Sequence, residues 1–435
     1  MSAKHSGLLN AILLAALVLI PYVAAVTAGQ PDPDPTGLAR WHSAAESIYC
    51  EKGLTPTGSI LMIEAALLFI ALLALQWKAT LLGGVGLALK QDGWHLLGLL
   101  ALVAMPFIIA WQTESSVCVR GKAFFWESIF VDVFILAILA ISYNLLFGFS
   151  GVVSFGHAAF FGMGAYTVGL FMHHLSWPWW LAILGSLLIG VAIAVVKGVV
   201  GLRIKGLYFA LFTLAFAQVF YLLAGNRLLA DITGAEDGFT FDVPDWLNAA
   251  KNRFFFYYLA LALLVLAFLL VRRLMNSPTG KVLSALRDNE ARAQMLGYNT
   301  FYFKLIAIVL AGLLASGAGV LRGLALKGAS PEVLSLTFTF DPLLMTIIGG
   351  QGTFLGPVIG AFGIHLTEEA LRDTVLTLGA TEINIGERWS LILGVLFIIS
   401  VMVFPYGIVG TLTIRWRQWQ AERRTRPALK QDSEA

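Results

Sequence analysis

The chain has 435 residues with 58% hydrophobic and only 13% charged side chains, and its mean hydropathy is +0.80. Soluble domains carry about 25% charged residues, and a soluble globule has too little interior to hide this much apolar surface, so water-soluble, disordered and nucleic-acid-binding classes are excluded. The net charge of +3 says little by magnitude, and what is left is an all-α polytopic membrane protein.

A membrane span needs about 20 mainly apolar residues. Ten stretches qualify: 8–28, 60–77, 95–111, 124–147, 151–172, 179–200, 206–225, 254–275, 305–326 and 390–412. The first follows Lys4 and reads as an uncleaved anchor, since its apolar run is longer than a signal peptide's. An eleventh stretch, 342–366, is cut by Gly349, Gly350, Gln351 and Gly352. The chain then divides into an N-terminal extension with three spans (1–123), a core (124–412) and a basic tail (413–435).

Basic residues accumulate on the cytoplasmic side of membrane proteins. With the N-terminus inside, the inner connections and tail hold 18 of 29 Lys and Arg, Lys197 among them, but 6 of 26 Asp and Glu. Both termini are expected inside. The acidic stretches 231–245 and 368–387 fall outside. Residues 342–366 must then cross an even number of times, as a two-piece re-entrant hairpin with Gly349–Gly352 at its tip. Irregular backbone at membrane depth survives only inside protein or beside a wet cavity, which makes Gly349, Gly350 and Gly352 pathway candidates. One kinked span with an atypical outer end is the alternative.

Cys50 and Cys118 fall in outer connections. A disulfide is compatible with that compartment, and two unpaired thiols are the plainer reading. No C-x-x-C or Cys/His cluster suggests a metal. No Walker P-loop is present: at Gly280-Lys281 the next residue is Val282, and Met275 stands where the first glycine belongs.

Two segments carry the chemistry. Residues 144–166, NLLFGFSGVVSFGHAAFFGMGAY, hold five glycines in what is otherwise a span. Small residues permit close helix packing or a break whose backbone meets a polar solute. Ser154 and His157 share one face if the segment is helical. Asn144, Ser154, Gly156, His157 and Phe160 are therefore substrate-pathway candidates, against the bland reading of helix packing and a structural imidazole hydrogen bond. Asp132, two turns into its span, either attracts a cation or pairs within the bundle. Residues 277–304, SPTGKVLSALRDNEARAQMLGYNTFYFK, predict one short amphipathic helix, capped by Ser277 or Thr279 and ended by Gly297. It is too charged to span and either lies on the membrane or docks into a partner's groove.

These segments, with 203–216 (RIKGLYFALFTLAF) and 349–357 (GGQGTFLGP), resemble in fixed order the LivM-type permease subunits of branched-chain amino-acid ABC importers. The resemblance covers roughly 124–410 and implies an ABC importer permease fold in the bacterial inner membrane. It implies that ATP is used by two separate ATPase subunits and that this chain binds no cofactor. It also implies a homologous LivH-type permease and a periplasmic substrate-binding protein as partners, with a branched-chain amino acid as substrate; urea or a short amide is one alternative, and an ion-coupled secondary transporter is the other. The amphipathic segment resembles the loop that such permeases insert into their ATPases, with Arg287, Asp288, Glu290, Ala291, Leu296 and Gly297 as coupling candidates. The family's Glu-Ala-Ala pattern is kept only in part, since Arg292 follows Glu290-Ala291 and Gly297 comes one residue late.

Overall fold

The computed structural model describes residues 122–244, 247–372, 375–378, 381–384, 389–404 and 406–415, residue 418, and short stretches between 98 and 109. The first two predicted spans, Cys50 and Cys118 lie outside the described residues. The chain forms two compact units. In the smaller, Met1–Ser128 with Lys251–Phe255, the Arg253 guanidinium lies 4.2 Å over the Phe124 ring. The larger, Ile129–Ala250 with Phe256–Ala435, carries the site.

Six helices of the described residues are long and apolar enough to cross a membrane. Helix α1 (Lys122–Asn144) runs into a π-helical turn, Leu145–Phe149. Residues 151–156 are irregular, and α2 (His157–His173) starts only at the histidine. Ser154 therefore does not share a helix face with His157: it lies in the irregular stretch 151–156, which Gly151 opens at φ +70°. Helices α3 (Trp179–Gly201), α4 (Leu207–Ala224) and α5 (Arg253–Met275) follow.

The predicted single amphipathic helix is two. Helix α6 (Pro278–Asp288) is capped by Ser277, whose Oγ accepts from the Gly280 N–H at 3.4 Å. At Asn289 the backbone is extended, and its Oδ1 accepts from the Arg292 N–H at 2.9 Å to start α7 (Glu290–Met295). An Asx side chain that satisfies a free helix-start donor makes a strong N-cap, and here it ends one helix to begin the next. Helix α8 (Thr300–Leu326) is 27 residues long.

The eleventh apolar stretch is a hairpin of two helices, α9 (Thr337–Gly349) and α10 (Gly356–Arg372), joined by 350–355. A Cβ on Gly349 would strike the Gly356 carbonyl, and one on Gly360 the Met345 carbonyl. The two backbones touch, antiparallel, and the kinked-span alternative is set aside. Helix α11 (Trp389–Val403) follows, then further helix to Arg415.

Helix α8 packs on α2 and α3 through small residues. A Cβ on Gly164 would meet the Ser316 carbonyl, one on Gly319 the Phe161 carbonyl, and one on Gly312 lies 2.6 Å from Ala194. Backbone-level approach of this kind replaces the hydrophobic drive that helices lack in lipid. Asp132 pairs within the bundle, to Arg322 of α8. At one end, β1 (Phe239–Thr240) pairs antiparallel with β2 (Gly328–Ala329), Phe239 opposite Ala329. The charge reading puts both of these connections on the same side. A second hairpin, β3 (Val375–Leu378) with β4 (Thr381–Asn384), follows α10.

Candidate functional site

The pathway candidates fall into two linked clusters. The first surrounds the break at 151–156. Lys197, four residues before the end of α3, is 0% exposed. The sequence reading counted it with the inner connections; the structure turns it inward instead. Its Nζ donates to Ser154 Oγ at 2.9 Å and to the Gly156 carbonyl at 3.0 Å, and lies 4.3 Å from the Phe160 ring centre. A lysine inside a span costs about 2.5–3.5 kcal/mol on insertion scales, and these neutral contacts offset part of that.

The break is held from three sides. Thr213 of α4 accepts the Phe155 N–H at 3.0 Å, and a Cβ on Gly156 would strike the Thr213 carbonyl. Thr339 of α9 accepts the Ala158 N–H at 2.9 Å. His157 Nε2 is 2.8 Å from Ser142 Oγ, and its ring stands edge-on to Tyr143 and Phe160 at 5.1 and 5.7 Å. Ser154, Gly156, His157 and Phe160 are all buried.

The second cluster joins the hairpin tip to the surface segment. Asn144 Oδ1 accepts the Gly352 N–H, and its Nδ2 donates to the Thr353 carbonyl, both at 2.9 Å. Arg287 of α6 donates to the Gly148 carbonyl inside the π turn, and a Cβ on Gly352 would strike its guanidinium. The last carbonyls of a helix have no intrahelical partner, and Arg287 takes one of them. Gly151 faces the Arg287 backbone, with a Cβ there only 3.2 Å from its Cα. The tip also meets the last helix, where Gly407 lies against Gly350. Arg287, Gln351, Thr353, Tyr406, Gly410, Thr413 and Ile414 line a cavity of about 260 Å³ at this junction.

The structure thus brings Asn144, Gly350, Gly352 and Arg287 together, and Ser154, Gly156, His157 and Phe160 together. Gly349 belongs to the contact between the hairpin's helices. Asp288, Ala291 and Gly297 are exposed. Glu290 is turned to its own chain, 2.6 Å from Lys304 Nζ. Leu296 and Met295 are 73% and 83% exposed, and the stripe that buries is Gly280, Leu283, Leu286 and Ala293. The break at Asn289 shifts the phase between the two halves. Lys197, Thr213 and Thr339 were missed. A lysine four residues inside an apolar span was the available signal for the first, whereas nothing local marks the two threonines.

The chain is 25% identical over 350 residues to the LivM permease protein of the high-affinity branched-chain amino acid transport system of Salmonella typhimurium, covering 74% of this chain and 76% of the relative. A probable LivM protein from Methanocaldococcus jannaschii is 24% identical over 51% of this chain and 74% of its own length. The autoinducer 2 import system permease protein LsrC of Yersinia pseudotuberculosis is 25% identical over 79% of this chain and 92% of its own length. No solved structure is significantly similar to the chain. The family described as the permease component of the branched-chain amino acid transport system matches residues 125–401. That match takes in both clusters, the hairpin and the surface segment, and the chain belongs to this family.

Proposed function

We propose that this chain is the translocating subunit of an ATP-driven importer of branched-chain, hydrophobic amino acids. It sits in the bacterial inner membrane with both termini in the cytoplasm, and it works with two ATPase subunits, a LivH-type permease and a periplasmic substrate-binding protein. ATP is bound by the ATPase subunits and not by this chain. The observation that carries the reading is the joining of α6 to the hairpin tip. A segment that offers Met295 and Leu296 outward and holds Gly148 through Arg287 is built to receive a push and pass it inward. The LivM relatives support the amino-acid substrate.

The test is reconstitution of this chain with its four partners in vesicles. ATP-dependent leucine uptake is expected, and none when the ATPase subunits are omitted. Uptake driven by an ion gradient without them overturns the reading. The likeness to LsrC favours a second reading, import of autoinducer 2, and urea or a short amide is a third. Each predicts uptake of its own solute and none of leucine.

A further inference from the structure

Lys197 lies near the end of its helix, where a lysine can extend its stem and place the ammonium in water. It does the opposite and is wholly buried, with a hydroxyl, a carbonyl and an aromatic ring as its contacts. No carboxylate pairs with it among the described residues, so its charge has no counter-charge. Two polar atoms of the rings beyond Phe160 are also unsatisfied: His157 Nδ1, on the ring edge-on to Phe160, and the Tyr143 hydroxyl, on the ring edge-on to His157, are buried without a hydrogen-bond partner. The start of α2, a 17-residue helix, is here too, and its positive end favours negative charge. Native proteins seldom leave several buried polar groups unpaired in one place without reason. One uncompensated cation, spare hydrogen-bonding atoms and aromatic walls make the complement of a carboxylate on an apolar body.

We propose that Lys197, His157, Tyr143 and Phe160 form an internal recognition site on the translocation path, where the Lys197 ammonium takes the carboxylate of the passing solute. The inference rests on the transport reading above and narrows it to carboxylate-bearing solutes, since a neutral sugar or amide has no use for a buried cation. In this structure the site is closed, and the solute enters when 151–156 parts from Thr213 and Thr339. Ser154 holds the ammonium while the site is empty and gives way to the carboxylate.

The experiment uses the full complex in vesicles, with leucine as the probe. Lys197→Gln is expected to assemble and hydrolyse ATP but to import at least tenfold less leucine, whereas Lys197→Arg keeps most of the uptake. Wild-type leucine uptake by Lys197→Gln overturns the site while leaving the transport reading intact. If Lys197→Gln fails to assemble, Tyr143→Phe decides: it removes a hydroxyl that holds nothing in the structure, so assembly is kept and leucine uptake is expected to fall, and wild-type leucine uptake by it overturns the proposal. Absence of leucine uptake by the wild-type complex refutes the transport reading itself.

Discussion

Arg287 and Gly148 are 139 residues apart in the chain and are joined by a hydrogen bond from the guanidinium to the backbone carbonyl. The acceptor lies in the π turn that ends α1, one turn from Asn144, which holds the hairpin tip. Surface segment, central helix and hairpin tip therefore share one knot.

Arg287→Ala cuts the knot on the surface side. A hydrogen bond to a charged group contributes about 1.5–3 kcal/mol, and partial exposure of Arg287 places it near the lower figure. The variant is expected to assemble and to hydrolyse ATP, with leucine moved per ATP falling roughly tenfold, the equivalent of about 1.4 kcal/mol. An unchanged ratio of solute to ATP removes Arg287 from the coupling route.

Gly156 and Gly363 make a controlled pair. A side chain at Gly156 meets the Thr213 backbone, whereas one at Gly363 meets nothing within 4 Å. Overpacking at a rigid contact costs about 1–3 kcal/mol or more. Gly156→Leu is expected to abolish uptake and lower the yield of assembled complex, and Gly363→Leu to change neither. Wild-type uptake and assembly for Gly156→Leu would show that 151–156 has room the structure does not give it.

Glu290 is spent on Lys304 at 2.6 Å, with the acidic side chain 44% exposed. Pairs this exposed stabilise by under about 1 kcal/mol, so Glu290→Lys acts by freeing and misplacing α7 more than by loss of stability. ATP hydrolysis without transport is expected, and Glu290→Lys with Lys304→Glu restores transport. If the double exchange does not rescue the single one, Glu290 acts on the partner directly.

The orientation is checked by cysteine labelling with a membrane-impermeant reagent on a Cys50→Ala, Cys118→Ala background. Thr377→Cys, on β3, is expected to label from outside, and Ser284→Cys, on α6, only from inside. Inside labelling at 377 would contradict the even number of crossings by the hairpin.

The long spans and the hairpin were legible because hydropathy and the Gly349–Gly352 interruption are local properties. The Ser277 cap was legible for the same reason. What escaped was settled at long range. Lys197 reads as an ordinary inner-side lysine until the loop offers Ser154, 43 residues away, and Gly156, 41 away, to its ammonium. Ser154 and His157 look like neighbours on a helix face until the π turn and Gly151 take the chain out of helical register. Thr213 and Thr339 stand in apolar runs with nothing around them to mark a role, and each acquires one only from a backbone N–H on α2 or the turn before it. Asn289 was visible but ambiguous, since asparagine caps helices and also sits within them.

The hairpin also dictates an order of assembly. Helix α9 has 13 residues and, at 1.5 Å per residue, is roughly 20 Å long, too short for the ~30 Å hydrocarbon layer. Among the described residues, the side chains that hydrogen-bond its irregular tip are those of Asn144 and of the tip's own Thr353. Neither α9 nor its tip is stable in lipid alone. During synthesis α9 must wait at the membrane surface until α10 has emerged, and the pair then enters as one piece against a bundle already formed. A nascent chain stopped before Gly356 keeps every earlier helix in place and leaves α9 stranded at the interface.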